Sequence, residues 1–176
     1  MIEVERGSRP RGEAPEVAIL ADCYQQFDHE GLVRLVMDVG CAAAEATTML
    51  AGVSPLNQLE ILREFSAQHT VEIAFDSTSR SSDVVWGYIP AMLRPLFEPE
   101  AKPSPAEVLF EIEDKYRFSA SMDFIVALAY YTGAILHRLA GSSGYSLESA
   151  VQLLEDRAKA AWAELDTYDT HSYMNR

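Results

Sequence analysis

From Leu32 onward, apolar residues recur every three or four positions: Leu32, Leu35 or Val36, Val39, Ala43, Ala46 and Leu50. At 3.6 residues per turn they fall on one side of a helix. The pattern predicts a helix from Asp28, as N-cap, to about Ala51, preceded by a shorter helix from Pro15 to about Phe27. Glu30, Arg34 and Asp38 lie four apart on the opposite side, and pairs of this kind contribute about 0.3–0.5 kcal/mol each. That side reads as a solvated face.

The same pattern continues along the chain. "VSPLNQLEILREF" predicts a third helix with Ser54 as N-cap and Pro55 at its first position. In "TVEIAFD" the alternation of Val71, Ile73 and Phe75 would suit a short strand, but no partner strand is visible, so the stretch is read as helix. Residues 76–105 differ. The polar "DSTSRSSD" leads into "VVWGYIPAMLRPLFEPEAKPSP", whose prolines forbid a long helix and predict short helical turns joined by extended chain. Three further helices follow. The first is capped by Ser104, with Pro105 at its first position. The second is capped by Ser121 and stopped by Gly141. It is apolar on nearly every side and should be central, and Ala129, Gly133 and Ala140 form a small-residue strip along it. In the last, Leu147, Val151, Leu154, Ala158, Trp162 and Leu165 form one stripe.

Five or six helices without convincing strands define an all-α, single-domain helical bundle in which the proline-rich segment is the long crossover. The expected organisation is a mobile arm over 1–13, a bundle over 14–166 and a mobile tail over 167–176. At 176 residues a core of ordinary size can form without disulfides or metal.

Composition narrows the function. Lys and Arg number 14 against 27 Asp and Glu, a formal charge of −13. Such a field opposes phosphate backbones, because nucleic-acid affinity rests largely on cationic side chains releasing counterions. Arg outnumbers Lys and Ala is abundant, which points to a GC-rich bacterial or phage genome. Cys23 and Cys41 have no CxxC spacing and read as small buried hydrophobes in a reducing cytoplasm. The first residues lack the apolar core of a signal peptide. The longest uncharged apolar run, Phe124 to Leu136, is shorter than the roughly 20 residues that span a bilayer. A cytoplasmic location without membrane contact is expected.

The chemistry-bearing patterns are few. Arg63 is followed six positions later by His69 in "REFSAQH", a spacing that resembles the Arg–His pair of HEPN-type ribonucleases. The resemblance implies metal-independent RNA cleavage in a small helical bundle, usually in a dimer. Arg63 would stabilise phosphate charge and His69 would act as general acid or base. With 11 Arg and four His in 176 residues, however, about one such spacing arises by chance. On a continuous helix the two side chains diverge by about 120°. Glu64 follows Arg63 where the family usually has a small polar residue, and Arg63 is expected to pair with Glu60 and Glu64.

Glu60/Glu64, Glu107/Glu111/Asp114 and Asp123 are similar to the carboxylates that hold Mg²⁺ in all-α pyrophosphohydrolases of the MazG type. The paired ExxE and ExxD spacings of that family are not both met, since Ala120 stands where its glutamate would be. His29, His69, His137 and His171 make no metal-ligand spacing. There is no glycine-rich phosphate loop and no nucleophile elbow. No metal or cofactor is therefore expected. Trp86, Tyr88, Met92, Leu93 and Phe97, with only Asp83 and Arg94 as charges nearby, are residue types enriched where proteins dock. The expected function is a non-enzymatic interaction or assembly module, binding a protein partner or a second copy through residues 84–97. The alternatives are the ribonuclease using Arg63 and His69 and the pyrophosphohydrolase-like protein.

Overall fold

In a computed structural model, residues 15–75, 85–116 and 118–172 are described, with the side chains of 31–67, 85–116 and 120–160. These residues form six helices: α1 Pro15–Ala51, α2 Gln58–Phe75, α3 Ile89–Phe97, α4 Pro105–Tyr116, α5 Phe118–Ser143 and α6 Leu147–Ser172. Among the described residues there is no strand, and the all-α bundle is borne out. The arm expected over 1–13 and the whole polar loop over 76–83 lie outside the described residues.

Several boundaries differ from the sequence reading. α1 is one helix of 37 residues rather than two. Asp28 costs only a few tenths of a kcal/mol inside a helix, too little to break it. α2 starts at Gln58 because Asn57 and Glu60 cap it reciprocally: the Asn57 N–H donates to Glu60 Oε2 (2.9 Å), and the Glu60 N–H to Asn57 Oδ1 (3.0 Å). Ser54 instead accepts the Leu56 N–H in a local turn. α4 begins as expected, with Ser104 and Glu107 capping each other. Ser121 is not a cap. It lies inside α5, buried, and its hydroxyl donates to Glu113 Oε1 on α4 (3.1 Å). Gly141 is helical too. The stop is Gly144, whose φ of 75° is the left-handed conformation that glycine adopts without strain. α6 continues to Ser172, past the expected start of the tail.

The core lies where α1 and α5, the most extensively packed pair, meet α3 and α4. Leu32, Val36, Leu50, Phe124, Leu128 and Ile135 are fully buried. Ala43 and Ala46 on α1 and Ala127 on α5, also buried, keep the helices close. Gly40 brings α1 against α3: a Cβ at this position would lie 3.0 Å from Met92 Cε. α6 is rotated from the predicted stripe. Ala150 and Leu154 face inward, whereas Leu147 and Val151 are each 38% exposed. An alanine at the contact lets α6 sit close, and Arg157 ties it to Glu45 of α1 (2.7 Å).

α5 departs from its expected burial on all sides. Its segment Ala120–Ser143 is apolar and long enough to cross a membrane, as the core helix of a bundle also is, and half of it is buried. One face is open to solvent. Ala129, Tyr130, Ala134 and His137 lie on it, with Tyr130 64% exposed.

Candidate functional site

α3 sits against α1, α2 and α4, and this placement divides the segment expected to dock a partner. Ile89, Met92 and Leu93, at helical spacing, turn inward and are fully buried. Met92 and Leu93 are therefore core residues, a correction to their expected role as contact residues. Trp86, Tyr88 and Phe97 are half-buried and packed against the core edge. Leu96, on the outer side of α3, is 37% exposed.

Tyr88 is anchored to α4. Its hydroxyl donates to Glu111 Oε1 (3.2 Å) and accepts from Lys115 Nζ (3.5 Å), while Lys115 pairs with Glu111. Its ring meets Tyr116 edge-on at 6.4 Å. Desolvation raises the Tyr88 pKa, partly countered by the Lys115 hydrogen bond. The Lys115 and Tyr88 hydrogen bonds hold the Glu111 carboxyl below its ordinary range. The cluster fixes α3 against the end of α4.

On that helix Phe110 is 71% exposed and Tyr116 is also exposed. The sequence reading missed Phe110, yet a signal was present. In "EVLFEIEDKY" Val108, Leu109, Phe110 and Ile112 are nearly consecutive. A helix burying a single stripe cannot turn all four inward. Val108, Leu109 and Ile112 take the core, and Phe110 is left outside.

Arg63 and His69 lie on the same continuous helix, α2, and Arg63 is exposed. The His69 side chain is outside the described residues. The expected pairing of Arg63 with Glu60 and Glu64 is not found among the described residues. Glu60 is engaged in the α2 cap, and Glu64 accepts from Arg138 on α5 (2.7 Å), whose guanidinium lies 5.5 Å from the Phe65 ring centroid. Arg138 wins Glu64 because it approaches from a facing helix and can stack on Phe65 as it does so. The remaining carboxylates considered for Mg²⁺ are dispersed. Glu107 caps α4, Glu111 holds Lys115 and Tyr88, and among the described residues no three His, Cys, Asp or Glu cluster at metal-binding distance.

Besides Ser121, the buried polar groups among the described residues form one pair. Thr47 on α1 and Tyr131 on α5 share a hydrogen bond of 2.9 Å, and Thr47 also donates to Ala43 O. Burial pushes the Tyr131 hydroxyl up to about 12. Phe65 meets its ring edge-on at 5.8 Å, which joins the pair to Arg138 and Glu64. This arrangement locks α1, α2 and α5 together and exposes no reactive atom. Thr47→Val is expected to cost about 1–3 kcal/mol, because it strands the buried Tyr131 hydroxyl. Tyr131→Phe should cost less near neutrality. A raised tyrosine pKa favours folding below pH 10, and that contribution disappears as pH climbs toward 12. Urea titrations at pH 7 and above pH 10 should therefore show a smaller alkaline loss in Tyr131→Phe than in the native chain. Equal losses in both would contradict the assignment.

Comparison with known protein families, curated proteins and solved structures returns no match. The functional reading therefore rests on the chain's own surfaces.

Proposed function

We propose that this chain is a non-enzymatic protein-interaction or assembly module whose partner contact is the outer rim of α3 and α4. The observation that carries this reading is the 71% exposure of Phe110 on a helix whose other large apolar residues are either buried or at its exposed end. Leu96 and Tyr116 add exposed apolar surface on the same two helices. Trp86, Tyr88 and Phe97 are half-buried against the core, and Tyr88 meets Tyr116 of α4. Aromatic residues on a firm backbone are the usual anchors of such contacts. The sequence expectation of docking through 84–97 is thereby narrowed to Trp86, Tyr88 and Phe97 and extended to α4. A cytoplasmic, bacterial setting belongs to the same proposal, supported by the excess of Arg over Lys, the abundance of Ala and the free thiol of Cys41.

Phe110→Ser provides the test, since its side chain is outside the core and folding stability should change by no more than about 0.5 kcal/mol. Tagged native and variant chains would be purified from the source organism and their companions quantified by mass spectrometry. Loss of a stoichiometric companion in Phe110→Ser, with an unchanged unfolding curve, is the expected result. An undiminished companion in both Phe110→Ser and Leu96→Ser would remove the rim as the contact.

A further inference from the structure

We infer that the open face of α5 is the contact between two copies of this chain, packed antiparallel about the level of Tyr130. This face is separate from the α3–α4 rim, and the inference does not rest on the partner reading.

Asp123, Tyr130 and His137 are spaced by seven residues, so they follow one line along α5 with a drift of only about 20° per step. Tyr130 is exposed at the middle of the line and His137 is exposed beyond it, while Asp123 is partly exposed. Beside the line lie Val126, Ala129, Gly133 and Ala134. A Cβ on Gly133 would meet nothing within 4 Å among the described residues, so none of them approaches there. A neighbouring helix could come close to this strip, and the exposed Tyr130 ring of a second copy could lie against it.

Charge selects the occupant. Asp123 and His137 each stand about 10.5 Å along the axis from Tyr130, at 1.5 Å per residue, on opposite sides. A two-fold contact makes each patch meet its own copy, so residue i of one chain faces residue j of the other and the reverse. With the axis at Tyr130 and the helices antiparallel, Asp123 of each copy faces His137 of the other. An imidazole N–H can donate to the carboxylate at both ends of the contact. Among the described residues neither group has an ion-pair partner within its own chain. A parallel arrangement would instead oppose Asp123 to Asp123. The whole chain carries −13, so two copies repel over most of their surfaces. Within α5 Asp123 is the one acid, and it is matched.

The test is sedimentation velocity and light scattering of the full chain over a wide concentration range. The native chain should form a dimer. Gly133→Trp, which fills open space in the monomer, should dissociate it at least tenfold more readily. His137→Asp should also weaken it, by opposing like charges at both ends. Exchanging the two residues, as Asp123→His with His137→Asp, should restore association. Circular dichroism would establish that each variant keeps its helical content. A chain that stays monomeric at every concentration overturns the inference, and so does a dimer indifferent to Gly133→Trp and His137→Asp. A monomer that instead binds neutral phosphatidylcholine vesicles, and loses them in Gly133→Trp or Tyr130→Ser, would reassign the face to a lipid surface.

Discussion

Phe124→Ala should lower the stability of the fold by about 3–5 kcal/mol, a large share of the total for a domain of ordinary stability. Among the described residues Phe124 is the largest fully buried side chain. It lies on α5, which packs against α1, α4 and α6, so helices rather than loops surround it. Such walls collapse poorly around a deleted ring, so the cavity would persist and its cost would add to the lost transfer of the ring from water. Urea unfolding followed by far-ultraviolet circular dichroism would report the change as a lower midpoint at a nearly constant slope. A loss below about 1 kcal/mol would mean that α5 is not the centre of the bundle.

The second large effect separates two leucines three positions apart on α3. Leu93→Ala should cost about 2–5 kcal/mol, whereas Leu96→Ala should remain within about 1 kcal/mol of the native chain. The residue type and helix are the same in both, so propensity cancels and burial alone differs: Leu93 is fully enclosed and Leu96 is on the outer side. The comparison also tests the functional division of the segment, because the costly residue should leave partner contacts unaffected wherever the protein still folds. Equal costs would mean that α3 is turned differently about its axis.

The existence of most helices was legible from the spacing of apolar residues, because helical periodicity is a sum over many positions. The ends were less legible, because each depends on one or two side chains with competing options. Ser54–Pro55 and Asn57–Glu60 are both valid start signals, and only the second lets two side chains satisfy two backbone amides at once. Ser121 has the chemistry of a cap, but its hydroxyl is taken by Glu113 from another helix, which local sequence cannot foretell. The rotation of α6 was likewise invisible, since it depends on Arg157 reaching Glu45 on α1.

The candidate site was legible only in part, for a chemical reason. Methionine, leucine, tryptophan and phenylalanine are favoured both in cores and in docking surfaces. Met92 and Leu93 carried the same signal as Trp86 and Phe97, and the position of α3 in the bundle decided between them. The Arg63–Glu64 pairing failed for a related reason. A neighbour along one helix is a reasonable partner until a cation arrives from another helix in a better geometry, as Arg138 does.

The close approach at Gly40 has a consequence for how this chain can change over generations. The terminal methyl of Met92 occupies the space that any side chain at position 40 would claim. The two positions, on different helices, draw on one small volume. Methionine is flexible enough to yield to a single added methyl, so alanine at 40 needs little adjustment. Anything bulkier at 40 requires a shorter residue at 92, and the two sites must then diverge as a pair, each setting the alphabet available to the other.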